Sequence, residues 1–213
     1  MNGLAGVIDA VCAELVARAD ELNRLDAVAG DGDLGVTATN MASAVLEHRD
    51  AFAEDDLAEA LSGAGRLVAE RAPSTAGTLI ASALIGAGRA VAQAPADPAL
   101  RLAELLTGAC SAIVKRGKAE RGARTMLDAL GPASDAATSV AARGGSVAEV
   151  LEVAAQAANE GAEATAQMAA RFGRASWLPE RAVGQIDAGA RLIAIILDAA
   201  ARAVGPPHAE RQP

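Results

Sequence analysis

The chain has 213 residues and a formal net charge of −8, which is long enough for one well-cored domain. Hydrophobic residues make up 52% of the sequence and aromatic residues only 1%. Sandwiches and barrels of strands use more aromatic and β-branched residues, and a nucleic-acid partner favours a basic surface. The composition therefore predicts an all-α, single-domain protein that does not bind nucleic acid.

The two cysteines, Cys12 and Cys110, both lie in apolar helical sequence. We interpret them as buried thiols, which fit a reducing compartment. The most apolar run, at 192–197, is too short to span a membrane. The N-terminus also lacks the basic-then-apolar order of a signal peptide. These features predict a cytoplasmic protein with no membrane partner.

Apolar residues recur at three- and four-residue spacing along most of the chain, which is the periodicity of amphipathic helices. Ser146 and Glu149 form a capping-box pattern. We predict one domain at 1–204 and a flexible, Pro-rich tail at 205–213. The pattern predicts an all-α bundle or barrel of about eight helices, at 4–23, 36–49, 55–71, 74–93, 99–115, 126–143 with a break near Gly131 and Pro132, 146–171 and 187–204.

Three carboxylates, on Asp26, Asp31 and Asp33, lie within the stretch LDAVAGDGDLG at 25–35. Carboxylates this close repel one another, and hard cations such as Mg²⁺ take oxygen ligands. The glycines between the acids allow the backbone to turn tightly around a bound group. A solvated Asp/Gly turn is the alternative interpretation. Because residues 34–46 are uncharged and offer the acids no basic partner, we favour a divalent-metal site.

Three further loops complement the acidic one. The loop APSTAGT at 72–78 opens a helix, where free N–H groups can bind an anion, and RGKAERGART at 116–125 and GRASWLPER at 173–181 are basic. Each alone is compatible with an ordinary connection or a solvated basic face. Together with the acids they suit a metal–phosphate site. The sequence has no P-loop or G-x-S-x-G motif, and His48 and His208 are not placed for a triad or a zinc site.

The chain resembles the L subunit, or C-terminal nucleotide-binding domain, of dihydroxyacetone kinases. The resemblance extends over about 4–204 and implies an antiparallel eight-helix barrel with ADP or ATP at one end. Four segments carry it in family order: LD with GDGDLG at 25–35, RGKAERGARTMLDAL at 116–130, GRASWLPER at 173–181 and GQIDAG at 184–189.

The resemblance also implies the site residues. Asp26, Asp31 and Asp33 are expected to hold two Mg²⁺ ions on the nucleotide phosphates, and Arg174 to act as a catalytic, nucleotide-contacting cation. The chain departs from the family pattern at Leu34, where His or Thr is usual, and in the loops APSTAGT and RGKAERGART. The remaining expected nucleotide contacts are Leu34, Gly35, Thr37, Ser74, Thr75, Gly77, Thr78, Gly117, Thr125, Met126, Asp187, Ala188 and Gly189.

The activity implied by the resemblance is that of a glycerone kinase-type phosphotransferase subunit in glycerol metabolism. Its ketose substrate would be held by a partner subunit. The phosphoryl donor stays open between free ATP and a phosphotransferase-system protein that rephosphorylates bound ADP, and a homodimer is also left open. Alternatives are a kinase subunit for another ketose such as erythrulose, a noncatalytic nucleotide-loaded regulatory module, and the nucleotide domain of a fatty-acid kinase.

Overall fold

A computed structural model describes residues 4–54, 56–172, 176 and 182–205, without the side chains of residues 53 and 54. Every regular element in these ranges is a helix, which confirms the all-α prediction. A 3₁₀ turn, Thr165–Gln167, follows the ninth α-helix. The α-helices are α1 (Leu4–Ala17), α2 (Ala19–Asp26), α3 (Leu34–Glu47), α4 (Ala51–Glu54), α5 (Leu57–Arg71), α6 (Thr75–Val91), α7 (Pro98–Gly117), α8 (Leu127–Ala142), α9 (Val147–Ala164) and α10 (Ala188–Val204).

Eight helices of the described part form a closed ring. In ring order, α1, α3, α5, α6, α7, α8, α9 and α10 each pack against the next, and α10 packs back against α1. Neighbouring helices of the ring run antiparallel, since the starts of α3, α6 and α8 lie at the same end as the ends of α5 and α7. The two short helices, α2 and α4, belong to the connections that flank α3. The expected antiparallel barrel of about eight helices is therefore confirmed.

The interior of the ring is one hydrophobic cluster in which alanine is the commonest residue. Small side chains let neighbouring helices approach closely. Leu22, Ile113, Leu127 and Leu192 are the largest fully buried aliphatic side chains that fill the remaining space. Cys12 is buried in this core, where burial raises the pKa of its thiol to about 11. None of the described helices is long and apolar enough to cross a bilayer.

The helix predicted at 4–23 is in fact two helices that meet at Arg18. The N–H of Arg18 donates to the Glu14 carbonyl at 2.9 Å and the N–H of Leu22 donates to the Arg18 carbonyl at 3.1 Å, so the junction is a bend. The second helix extends to Asp26. The first acid of the acidic stretch therefore lies at a helix C-terminus, whereas the sequence pattern placed it in the loop.

The predicted break near Gly131 and Pro132 was wrong, because α8 continues through both residues. Pro132 lacks the N–H that would bond to the Asp128 carbonyl one turn earlier. Gly161 of α9 packs directly against that carbonyl, at a spacing that a Cβ atom would make impossible. The Gly161 backbone therefore covers the carbonyl that Pro132 leaves without its usual N–H donor.

The helix predicted to reach residue 171 ends at Ala164. The buried Thr165 explains this end, because its hydroxyl donates to the Ala162 carbonyl and accepts the N–H of Asp187 at 2.8 Å. The end of α9 is thereby tied to the start of α10. Of the predicted tail at 205–213, only Gly205 lies within the described residues, and the domain limits stay a prediction.

Candidate functional site

One end of the barrel contains a cavity of about 1320 Å³. The C-termini of α2, α5 and α7 and the N-termini of α3, α6, α8 and α10 surround it. Helix N-termini present unbonded N–H groups and a positive dipole end, both of which favour anions. The antiparallel order of the ring places four such N-termini around the same space.

The three acids converge at one side of the cavity. One carboxylate oxygen from each of Asp26, Asp31 and Asp33 lies within 4.8 Å of the other two. Asp26 is half-buried, whereas Asp31 and Asp33 are exposed. Within the described ranges, no other group of three His, Cys, Asp or Glu side chains is arranged to hold a metal ion.

Asp26 organises the acidic loop. Its Oδ2 accepts the N–H of Gly32 at 2.8 Å and that of Asp33 at 3.2 Å. Gly32 has a φ of +77°, a left-handed conformation that glycine adopts without strain. Burial raises the pKa of Asp26, and the negative charges of Asp31 and Asp33 add to this effect, which the two N–H bonds oppose. The chain thus collects the acids through its own backbone hydrogen bonds.

The start of α3 is fixed against α2 by Asn23. The Asn23 Oδ1 accepts the N–H of Gly35 at 2.7 Å, and Gly35 packs so closely on the Ala19 carbonyl that no side chain fits there. Gly35 does not belong to the cavity lining, and its contact with the nucleotide stays a prediction. Sequence reasoning missed Asn23, although its place three residues before Asp26 on the same helix was a usable signal.

Two hydroxyl groups join the starts of α3 and α6. Ser74 caps α6 by accepting the N–H of Gly77 at 3.0 Å, and the Thr37 hydroxyl donates to the Ser74 Oγ at 3.2 Å. The backbone of Gly77 packs against the Ala72 carbonyl, and Gly77, like Gly35, does not belong to the cavity lining. The first N–H groups of α6, at 75 and 76, precede its hydrogen-bond ladder and lie at the cavity.

The loop between α7 and α8 forms the opposite wall. Lys118, Gly122 and Arg124 have φ values of 53°, 82° and 61°, all in the left-handed region. The buried carboxylate of Asp128 accepts the N–H of Thr125 at 2.8 Å and that of Gly122. Asp128 therefore fixes a strained loop. It lies in the family-like segment RGKAERGARTMLDAL, yet sequence reasoning gave it no role.

The turn before α10 completes this wall. Asp187 caps α10 by accepting the N–H of Ala190 at 2.9 Å. Arg124 donates from Nη2 to the Gln185 carbonyl at 3.0 Å, and its Nη1 lies 3.8 Å from Asp187 Oδ1. Burial raises the pKa of Asp187 to about 6, although the Ala190 N–H and the Arg124 charge act against this rise.

Most residues predicted for the site lie together in this cavity. Gly35 and Gly77 are not part of the lining, and Arg174 lies outside the described residues, so the roles of these three residues stay predictions. The cavity is lined by all the others, Asp26, Asp31, Asp33, Leu34, Thr37, Ser74, Thr75, Thr78, Gly117, Thr125, Met126, Asp187, Ala188 and Gly189.

The raised pKa of Asp187 predicts a pH dependence of stability. The folded state holds the Asp187 proton more tightly than the unfolded state, so the free energy of unfolding falls as pH rises from about 4 to about 6. A pKa of about 6 against the ordinary 3.8 corresponds to about 3 kcal/mol. Asp187→Asn keeps a capping oxygen, and urea unfolding should show a reduced loss over this window. Asp97→Asn, at the exposed N-cap of α7, is the control for replacing an N-cap carboxylate by an amide.

The chain belongs to the DAK2 domain family, whose model matches residues 28–202. Among its relatives is the PEP-dependent dihydroxyacetone kinase, ADP-binding subunit DhaL of Escherichia coli, which is 30% identical over 187 residues. That match covers 87% of this chain and 89% of the Escherichia coli subunit.

Longer relatives match over part of their length. The L-erythrulose kinase of Pectobacterium atrosepticum is 35% identical, and the match covers 92% of this chain but 34% of that kinase. The chain likewise spans 34% of the human triokinase/FMN cyclase, at 34% identity. The crystal structure of the dihydroxyacetone kinase of C. freundii superposes with a TM-score of 0.73 and 28% identity over 93% of this chain and 34% of that kinase. Its complex with AMP-PNP and Mg²⁺ gives a TM-score of 0.72.

Proposed function

We propose that the chain is the nucleotide-binding, phosphoryl-transfer subunit of a ketose kinase of the dihydroxyacetone kinase type. The observation that carries this proposal is the convergence of three carboxylates and four helix N-termini on one cavity. The relation to an ADP-binding subunit that matches along nearly its whole length supports it. So does the related kinase fold that was crystallised with AMP-PNP and Mg²⁺.

The acidic cluster fits the chemistry of Mg²⁺. All three donors are carboxylate oxygens, which Mg²⁺ prefers, and no sulfur or imidazole ligand belongs to the described cluster. In this proposal Asp26, Asp31 and Asp33 hold two Mg²⁺ ions. When bound, Mg²⁺ neutralises negative charge on the phosphoryl oxygens of the nucleotide.

The remaining residues bind and orient the nucleotide. Thr75 and Thr78 line the cavity at the start of α6, where their hydroxyls and the first N–H groups of the helix can bind phosphate oxygens. Met126 and Gly189 pack against each other, since a Cβ atom on Gly189 would lie 3.5 Å from the Met126 side chain. The apolar patch that they form in the cavity wall suits one flat face of a nucleobase, and Arg174 is proposed as an additional cation on the nucleotide.

The ketose would be bound by a partner kinase subunit that docks at the cavity end. Dihydroxyacetone and erythrulose are both candidate substrates, the second because an L-erythrulose kinase is 35% identical to this chain. The donor is either free ATP or a phosphotransferase-system protein that acts on bound ADP. We also propose a cytoplasmic location, with which the two free cysteines are compatible.

Mixing purified components tests this function. We expect the chain to bind Mg–ADP and to phosphorylate dihydroxyacetone or erythrulose only after a ketose-binding kinase subunit is added, with ATP or a phosphotransferase donor supplied in separate reactions. The separate reactions identify the donor. Ketose phosphorylation by the chain alone would contradict the proposal that a partner subunit binds the ketose. Folded protein that binds no nucleotide would contradict the nucleotide-binding function itself.

A further inference from the structure

Arg124 is a buried cation in the wall of the cavity. The residue is 4% exposed, and its side chain reaches from the loop at 118–126 to the turn at 185–189. One hydrogen bond joins its Nη2 to the Gln185 carbonyl, whereas its Nη1 lies 3.8 Å from Asp187 Oδ1, outside hydrogen-bond range. Its Nε is buried and has no hydrogen-bond partner among the described residues.

This arrangement is costly for stability. Burying a guanidinium with unused donors carries a desolvation penalty that a single carbonyl and a distant carboxylate do not fully offset. The φ of 61° adds backbone strain at the same residue. An apolar residue at 124 would avoid the desolvation cost. Arg124 is therefore better explained by what it holds in place than by what it contributes to folding.

Arg124 joins the two segments that meet at the apolar patch of Met126 and Gly189. Thr125 and Met126 follow it in the loop, and Gly189 lies two residues after Asp187 in the turn. The opposite, acidic side of the cavity is assembled by other contacts, those of Asp26 with the loop N–H groups and of Thr37 with Ser74. A change at Arg124 should consequently alter one half of the cavity and leave the other intact.

We propose that Arg124 is a positioning residue that sets the spacing between the loop at 118–126 and the turn at 185–189. It thereby determines the affinity for the nucleoside part of the ligand and not for the phosphates. This role rests on the nucleotide-binding function proposed above. Lysine cannot replace Arg124 fully, because a single ammonium group lacks the fork that spans Gln185 and Asp187.

Calorimetric titration of Arg124→Met with Mg–ADP and with Mg–pyrophosphate tests the proposal. We expect a loss of about 10- to 100-fold in affinity for Mg–ADP and less than about a twofold change for Mg–pyrophosphate. Arg124→Lys should show an intermediate loss. Arg121→Met, in the same loop but with its guanidinium on the exposed Asp135, is the matched control and should bind both ligands like wild type.

The possible outcomes distinguish the positioning role of Arg124 from the nucleotide-binding function on which it rests. Equal loss of both ligands, or no loss of Mg–ADP affinity, in folded Arg124→Met would overturn the positioning role alone. Wild-type protein that binds neither ligand would overturn the proposed function as well. If removal of Arg124 unfolds the chain by leaving Asp187 unpaired, the double variant Arg124→Met/Asp187→Asn removes both charges. It should then bind Mg–ADP more weakly than Asp187→Asn alone and bind Mg–pyrophosphate like Asp187→Asn.

Discussion

Asp31→Asn is expected to abolish Mg²⁺-dependent ADP binding while leaving the helical content near that of wild type. The substitution removes one of three carboxylates whose oxygens lie within 4.8 Å of one another. An amide at this position keeps the shape but loses the charge that balances a divalent cation. Since second-shell changes alone cost about 10- to 100-fold, we expect at least about a 100-fold loss of affinity from a direct ligand.

The matched control is Asp20→Asn, which removes the same charge from an exposed position on α2 outside the cavity. It should bind Mg–ADP like wild type in the same calorimetric titration. Circular dichroism of both variants checks the fold. Unchanged nucleotide affinity in Asp31→Asn would sink the assignment of the acidic cluster.

Asp128→Asn should destabilise the fold and weaken nucleotide binding together. The buried Asp128 carboxylate accepts two backbone N–H groups from the strained loop. An amide can accept only with its oxygen, so one N–H loses a charged acceptor at a cost of about 1.5–3 kcal/mol. The loop would then lose its left-handed geometry beside Thr125. Urea unfolding and Mg–ADP titration measure the two effects.

Asp135→Asn provides the comparison on the same helix. Asp135 is exposed and pairs with Arg121, and exposed ion pairs contribute about 0–1 kcal/mol. The Asp135 variant should therefore unfold close to wild type and bind Mg–ADP normally. An Asp128 variant as stable as the Asp135 variant would show that the two N–H bonds do not hold the loop.

The acidic cluster could be predicted from the sequence because Asp26, Asp31 and Asp33 lie in one short stretch and converge through local turns. The helical class was accessible for a similar reason, since the three- and four-residue periodicity is local. Closure of the ring was expected only through the family resemblance. No pattern in the sequence states that α10 packs against α1.

The errors and omissions arose from tertiary contacts. The α8 break at Pro132 was wrong because Gly161, in another helix, packs on the freed carbonyl. Arg124 could not be assigned because its hydrogen-bond partner, Gln185, lies 61 residues further along the chain. Gly35 and Gly77 were assigned to the site from the family resemblance. Their close packing against the carbonyls of Ala19 and Ala72 could not be predicted from the spacing of residues in the sequence.

The most direct test of the central claim is calorimetric titration of the wild-type chain with ADP, first with Mg²⁺ and then with a chelator in its place. The convergence of Asp26, Asp31 and Asp33 on the nucleotide cavity predicts binding with Mg²⁺ and its loss when the metal is removed. ADP binding of equal affinity in both conditions, or none in either, would contradict the account.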